Sequence, residues 1–213
     1  MGDKSVTVVD YGMGNIWSVL SALRYLGSNP TVSNDPDEVC RADTLVLPGV
    51  GSFRKAMNTL RATGLDQAIL EAVKTRGSKI LGICLGMQLL GSQGTEDGDT
   101  VGLSLIPNRI DRFTSHELGK NKIPHIGFNT VHSTQRDGLF RGLSESADFY
   151  FVHSYRMLPE DLKGKTAIST YGINFLAGFE VDNIYGTQFH PEKSQTNGLI
   201  LLRNFLEQQG GEC

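Results

Sequence analysis

No stretch of this 213-residue chain approaches the ~20 consecutive apolar residues that a membrane-spanning helix needs. The opening Met1-Gly2-Asp3-Lys4-Ser5 lacks the apolar core of a secretory leader. Val6 stands where a myristoylation signal requires Ser or Thr. Cysteine is scarce: Cys40, Cys84 and Cys213 are too few and too scattered for a disulfide framework, which points to a reducing, cytoplasmic setting. No run of like charge suggests a basic arm or an acidic tail. With a net charge of −3, the chain also lacks the electrostatic footprint of a nucleic-acid binder. His116, His125, His132 and His153 show no metal-ligand spacing such as His-Glu-x-x-His. They read as surface or structural residues, and no metal is expected.

Cofactor signatures are missing too. Gly12-Met13-Gly14-Asn15-Ile16-Trp17 follows a strand pattern and opens a helix pattern. However, Trp17 replaces the third glycine that a dinucleotide fold needs for close helix–strand packing. There is no Gly-Lys-Ser/Thr phosphate loop, so no cofactor is expected. With no repeat, low-complexity tract or linker, the pattern predicts one domain over residues 1–213.

Strand and helix signals alternate through the first half. Ser5–Val9, Pro30–Ser33, Thr44–Leu47 and Lys79–Ile83 are short β-branched or apolar runs. Between them, Asn15 onward places Ile16, Val19, Leu20, Leu23 and Leu26 at helical spacing. Ser52 can cap a helix to about Thr63, and Leu65 to Lys74 continues in the same vein. This βαβ rhythm predicts an α/β fold, a mostly parallel doubly wound sheet with helices on both faces. The second half reads as strands at Ile106–Phe113, Phe149–Val152, Lys165–Thr170, Phe175–Val181 and Ile184–Phe189, an antiparallel insertion packed beside the parallel sheet. Gln93–Thr100 reads as a loop, Asn197–Gln209 as a closing amphipathic helix, and the tail 210–213 as frayed.

The chemistry-bearing residues fall at strand ends. Gly82-Ile83-Cys84-Leu85-Gly86 has the nucleophile-elbow layout, in which flanking glycines let the backbone turn sharply and expose the central side chain. A thiol there lies at a helix N-terminus, which favours the thiolate. Gln188-Phe189-His190-Pro191-Glu192 supplies a base and an acid two residues apart, sharing a face if the backbone is extended. Cys84, His190 and Glu192 therefore form a candidate Cys-His-Glu acyl-transfer site. Pro48-Gly49-Val50-Gly51-Ser52 falls at the end of a parallel strand on the same edge, where its backbone N–H groups can serve as an oxyanion hole.

Pro48–Gly51, Gly82–Gln88 and Gln188–Ser194 together resemble the class I (triad) glutamine amidotransferases. With Asp10–Asn15, Pro124–Gly127 and Phe151–Arg156 added, the chain looks most like the glutaminase subunits of imidazole glycerol phosphate synthases. The resemblance implies L-glutamine as substrate and a γ-glutamyl thioester on Cys84, with His190 moving the protons and Glu192 holding the imidazole. It implies an oxyanion hole from the Leu85 amide and, after a peptide rotation, that of Val50, between Gly49 and Gly51. It assigns Gln88, Ser154 and Tyr155 to the α-amino and α-carboxylate groups, and Asn15, Phe128 and Tyr150 to a partner interface. The implied partner is a TIM-barrel cyclase that receives ammonia to make imidazole glycerol phosphate and AICAR in histidine biosynthesis.

Two positions depart from the family pattern: Gly127-Phe128-Asn129 in place of Gly-Trp-Asn, and Ser154 in place of threonine. The first leaves open a related glutaminase serving another acceptor, such as a sugar amidated for a surface polysaccharide. A stand-alone γ-glutamyl hydrolase or peptidase, and a redox sensor built on Cys84, are the remaining alternatives.

Overall fold

The structure is a computed structural model that describes residues 5–159 and 162–208. The expected frayed tail, the last residue of the expected closing helix (Gln209) and the first four residues read for a leader lie outside these.

Strand β1 (Ser5–Val9) runs into the turn before α1 (Ile16–Tyr25), and β2 (Asn29–Ser33) follows. A short helix, α2 (Pro36–Arg41), was not expected. Its start is nevertheless written in Asp35-Pro36: the Asp35 carboxylate accepts the Asp37 N–H at 2.8 Å, and proline fills the first helical position. β3 (Thr44–Gly49) ends in the Pro-Gly-Val-Gly loop. Ser52 caps α3 (Phe53–Thr63) by accepting the Lys55 N–H, as the sequence predicts. α4 (Leu65–Leu70) passes into a π turn at Glu71–Thr75 before β4 (Lys79–Cys84), which leads directly into α5 (Leu85–Leu89).

The second half holds β5 (Gln93–Gly94), β6 (Thr100–Val101), β7 (Arg109–Arg112), α6 (Ser115–Leu118), β8 (His125–His132), β9 (Ser146–His153) and β10 (Tyr155–Met157). It continues with β11 (Lys165–Tyr171), β12 (Ile173–Val181), β13 (Ile184–Thr187) and α7 (Gln195–Glu207). β8 was not expected, because Gly127, Asn129 and Thr130 break its apolar pattern.

Nine strands form one mixed sheet in the order β2-β1-β3-β4-β13-β12-β11-β8-β9. Pairing is parallel from β2 to β13 and antiparallel from β13 to β9. The antiparallel half thus lies beside the parallel half by sharing its sheet, and with β8 included it is larger than the sequence suggested. A small second sheet, β10-β7-β5-β6, joins the α3–α5 side of the core through Ile110 and Met157. Alternate strand residues feed two cores: Val8, Val46 and Leu81 face α1 and α7, while Val9, Leu45, Leu47 and Ile80 face α3, α4 and α5. A sheet covered on both faces follows. Buried Lys79 fixes α7 by donating from Nζ to the carbonyls of Phe205, Leu206 and Gln208, the groups a helix C-terminus leaves unpaired. Among the described residues no helix is long and apolar enough to cross a membrane.

Because β3, β4 and β13 run parallel, their C-terminal ends at Gly49, Cys84 and Thr187 share one edge of the sheet. Ligands of doubly wound folds sit at such an edge. Between β3 and α5 the backbones nearly touch: a Cβ on Gly86 would lie 1.7 Å from the Leu47 carbonyl oxygen, and one on Gly82 would lie 2.7 Å from Gly86 backbone atoms. Gly86→Ala should therefore cost about 3 kcal/mol or more by overpacking, read as the urea midpoint; a midpoint unchanged from the parent would contradict this packing.

Candidate active site

Cys84 is the last residue of β4 and the cap of α5, with φ 55° and ψ −109°. A side chain seldom takes this conformation, which costs on the order of 1–3 kcal/mol. The bend expected of a nucleophile elbow is present, and the thiol sits in a nearly closed position, 6% exposed. Its Sγ lies 3.8 Å from both the Val152 carbonyl oxygen and the Gln188 side-chain amide nitrogen.

His190 and Glu192 reach the thiol from the end of β13. His190 Nδ1 lies 2.8 Å from Glu192 Oε1, and both side chains are almost wholly buried. The alignment does not come from extended backbone, as the sequence suggested. Pro191–Lys193 is a turn of 3-10 helix capped by His190, because Pro191 cannot carry on the ladder and sets the φ of a helical first turn. Nε2 of His190 and Oε2 of Glu192 are buried without hydrogen-bond partners. Burial works against a charged imidazole, but the negative charges of a Cys84 thiolate and of Glu192 outweigh it and push the His190 pKa up to about 10. The arrangement sets a thiol beside an imidazole that a carboxylate holds in place, the groups required for attack on an acyl carbon and proton delivery to its leaving group.

A cleft of about 400 Å³ opens over Cys84, lined by Val50, Gly51, Leu85, Gln88, Ser154 and Tyr155 among others. This is the size range of small-molecule sites. Leu85 opens α5, so its amide has no partner within the helix. The Val50 amide is turned elsewhere, donating to the Met13 carbonyl at 3.2 Å. Gln88 donates from Nε2 to the Tyr155 carbonyl and to Gln188 Oε1, both at 3.0 Å. Glu96 also lines the cleft, its carboxylate accepting the Phe53 N–H at 2.9 Å. Burial raises its pKa, with the Phe53 hydrogen bond opposing.

Comparison with known proteins agrees with this geometry. The family model of the class I glutamine amidotransferases matches residues 7–209. The chain belongs to that family. Among curated relatives, the imidazole glycerol phosphate synthase subunit HisH 1 of Parasynechococcus marenigrum is 43% identical, covering 95% of this chain and 97% of its own. HisH of Moorella thermoacetica is 44% identical over 96% of this chain and 95% of its own. These relatives are subunits by name, which implies a partner subunit. Solved structures share the fold: PurLQS of Thermotoga maritima superposes with TM-score 0.72 at 19% identity, over 95% of this chain and 97% of that one. A glutamine amidotransferase of the same organism gives 0.65 at 17%, over 97% and 98%.

In this amidotransferase the expected site residues divide into two groups. Cys84, His190 and Glu192 come together, and Val50, Gly51, Leu85, Gln88, Ser154 and Tyr155 surround the same cleft with Gly49 at the end of β3. Asn15, Phe128 and Tyr150 lie elsewhere on the surface. Phe128 is 53% exposed and meets Tyr150 edge-on across β8 and β9, with ring centroids 5.6 Å apart.

Glu96, Gln188 and Tyr11 had no role from sequence. Nothing in a glycine- and acid-rich loop marks Glu96 until β5 and β6 bring it to the lining of the cleft over Cys84. His125 and His153 are structural, as expected, but as a buried pair. His153 Nδ1 donates to the Tyr155 carbonyl at 2.8 Å, so its Nε2 accepts from His125 Nδ1 at 3.0 Å. Burial lowers the His153 pKa to about 3 and that of His125 to about 4. Both stay neutral in the fold while the unfolded chain takes up protons below about pH 6.5. Their contribution is fully present above that pH and is lost as pH falls. Moving from pH 7 to pH 5 should cost on the order of 2 kcal/mol from His153 alone, measured by urea unfolding; equal stability at the two pH values would contradict this.

Proposed function

We propose that the chain is the glutaminase subunit of an imidazole glycerol phosphate synthase, hydrolysing L-glutamine to glutamate and passing the ammonia to a TIM-barrel cyclase subunit in the cytoplasm. The observation that carries this reading is the strained thiol of Cys84 beside a His190–Glu192 couple whose Nε2 is unpaired, in a chain about 43% identical to HisH proteins along nearly its whole length.

The side-chain carboxamide carbon of glutamine is placed against Cys84 Sγ. Glu96, the cleft's carboxylate, holds the α-ammonium together with Gln88, and Ser154 and Tyr155 hold the α-carboxylate. The thiolate attacks, and the carboxamide oxygen becomes an oxyanion held by the amides of Leu85 and Val50. His190 then protonates the nitrogen, ammonia leaves and a γ-glutamyl thioester remains. Water, deprotonated by His190, attacks that thioester, and glutamate departs with the thiol restored.

At rest the Val50 N–H is bound to Met13, so the hole has half its donors. Such a state suits an enzyme that would otherwise waste glutamine, and a partner that rotates the Gly49–Val50 peptide would switch it on. Tyr150 offers a route, because its carbonyl accepts the His190 backbone N–H at 2.9 Å and its own N–H donates to Ser194 Oγ at 2.9 Å. A partner touching exposed Phe128 and half-buried Tyr150 thus touches the strand that holds the base. Released ammonia would be protonated in bulk water and lose its nucleophilicity, so direct transfer to a docked synthase fits the chemistry. Phe128, the departure from the family's Gly-Trp-Asn pattern, bears on partner choice rather than on the hydrolysis.

Cys84→Ala should abolish glutamine-dependent synthesis by the complex and spare synthesis from added ammonium; loss of both would contradict the division of labour. His190→Ala should lower glutaminase turnover on the order of 10⁴-fold, with Glu192→Gln milder because that carboxylate only orients and stabilises the imidazolium. Turnover within tenfold of the parent for both would remove the triad.

A further inference from the structure

The Tyr11 hydroxyl has no part in the scheme above, yet it is buried beside the reacting centre. Tyr11 lies 4% exposed just beyond β1, and its Oη has no hydrogen-bond partner. Buried polar groups are paired in the great majority of cases, and a native exception calls for an explanation. A Cβ on Gly49 would lie 2.2 Å from Tyr11 Oη, 3.0 Å from Leu85 Cβ and 3.1 Å from the Gly86 nitrogen. The hydroxyl therefore rests against the Gly49 backbone, where the loop bearing Val50 meets the start of α5. Burial, with a smaller push from the negative charge of Cys84, raises its pKa. The phenol keeps its proton and remains a donor.

The Val50 amide donates to Met13 in this state. Turning the Gly49–Val50 peptide frees that N–H for the cleft. The same rotation swings the Gly49 carbonyl oxygen out of the cleft, since the two groups of one peptide point in opposite directions. The displaced carbonyl then needs a donor, and a buried, unpaired hydroxyl is already seated against Gly49. We infer that Tyr11 is a positioning residue for glutamine hydrolysis: its hydroxyl captures the Gly49 carbonyl when the peptide rotates and so holds the Val50 amide in the oxyanion hole.

This role rests on the glutaminase reading. It separates two effects that usually travel together. In the resting state the hydroxyl is unsatisfied, so removing it costs no stability. In the rotated state it closes a hydrogen bond, so removing it costs rate. It also accounts for glycine at position 49, where a side chain would displace the phenol.

Tyr11→Phe deletes only the oxygen. In the complex with the synthase subunit, the variant should show kcat for glutamine hydrolysis reduced about tenfold, the worth of one buried hydrogen bond. KM for glutamine should stay within about twofold, because the hydroxyl does not face substrate, and the melting temperature should equal or exceed that of the parent. A kcat equal to the parent's, a raised KM with kcat kept, or a lower melting temperature would each overturn the assignment; the last would show that the hydroxyl already has a partner at rest. A crystal structure of the complex with Cys84 acylated should place Tyr11 Oη about 2.7 Å from the Gly49 carbonyl oxygen, and a separation beyond about 3.5 Å overturns it too. If the parent complex turns over no glutamine, the glutaminase reading fails along with this one; if the parent is active and the variant matches it, only the Tyr11 assignment falls.

Discussion

The bend at Cys84 is the constraint on which the rest depends. A residue with a side chain is held at φ 55°, and the force that holds it there is packing. β4 cannot run straight on, because α5 starts at once and its Gly86 is pressed against the Leu47 carbonyl of β3. The close approach seats Leu85 and Met87 in the core beneath the sheet, so apolar burial on one side balances the local strain. The thiol is left at the strand's end with its neighbours' amides around it. A looser junction would relax the bend and turn the sulfur away.

Around that bend the molecule keeps several polar groups unpaired in dry surroundings. His190 Nε2 and Glu192 Oε2 are buried without partners, which a folded protein tolerates where the missing partner arrives with substrate or with a proton. The Val50 amide is paired with the Met13 carbonyl, away from the oxyanion hole proposed for it. The site is thus assembled in its charges and unfinished in its donors. That combination separates having a nucleophile from using it, and it gives a docked subunit something to control without touching Cys84. The antiparallel half of the sheet offers such a route, since half-buried Tyr150 of β9 packs against exposed Phe128 and also accepts the His190 backbone N–H.

Much of this was legible in the sequence, for identifiable reasons. Apolar runs at Val6–Val9, Leu45–Leu47 and Ile80–Ile83 mark buried parallel strands, because both faces are covered and no polar alternation is needed. Gly82-x-Cys84-x-Gly86 announces its turn because only glycine fits where Gly82 and Gly86 pack. The pattern failed where side chains serve something other than the apolar core. β8 sits inside the sheet yet carries His125 and Asn129, whose hydrogen bonds run to His153 and to the Thr170 carbonyl. Its polarity hid it. Glu96 belongs to a loop whose composition says only that it turns. Tyr11 was read as part of a motif but given no task, since its significance lies in what surrounds its oxygen. The His190–Glu192 pairing was anticipated for a different geometric reason, and Pro191 supplies the actual one.

Glutamine hydrolysis by this route requires Cys84 to carry a transient γ-glutamyl group. Rapid acid quench of the complex during turnover of isotopically labelled glutamine, followed by peptide mass spectrometry, tests it most directly. A labelled thioester is expected on the peptide containing Cys84, chased off within a turnover when unlabelled substrate is added. Steady hydrolysis with label on another residue, or on none, would contradict it.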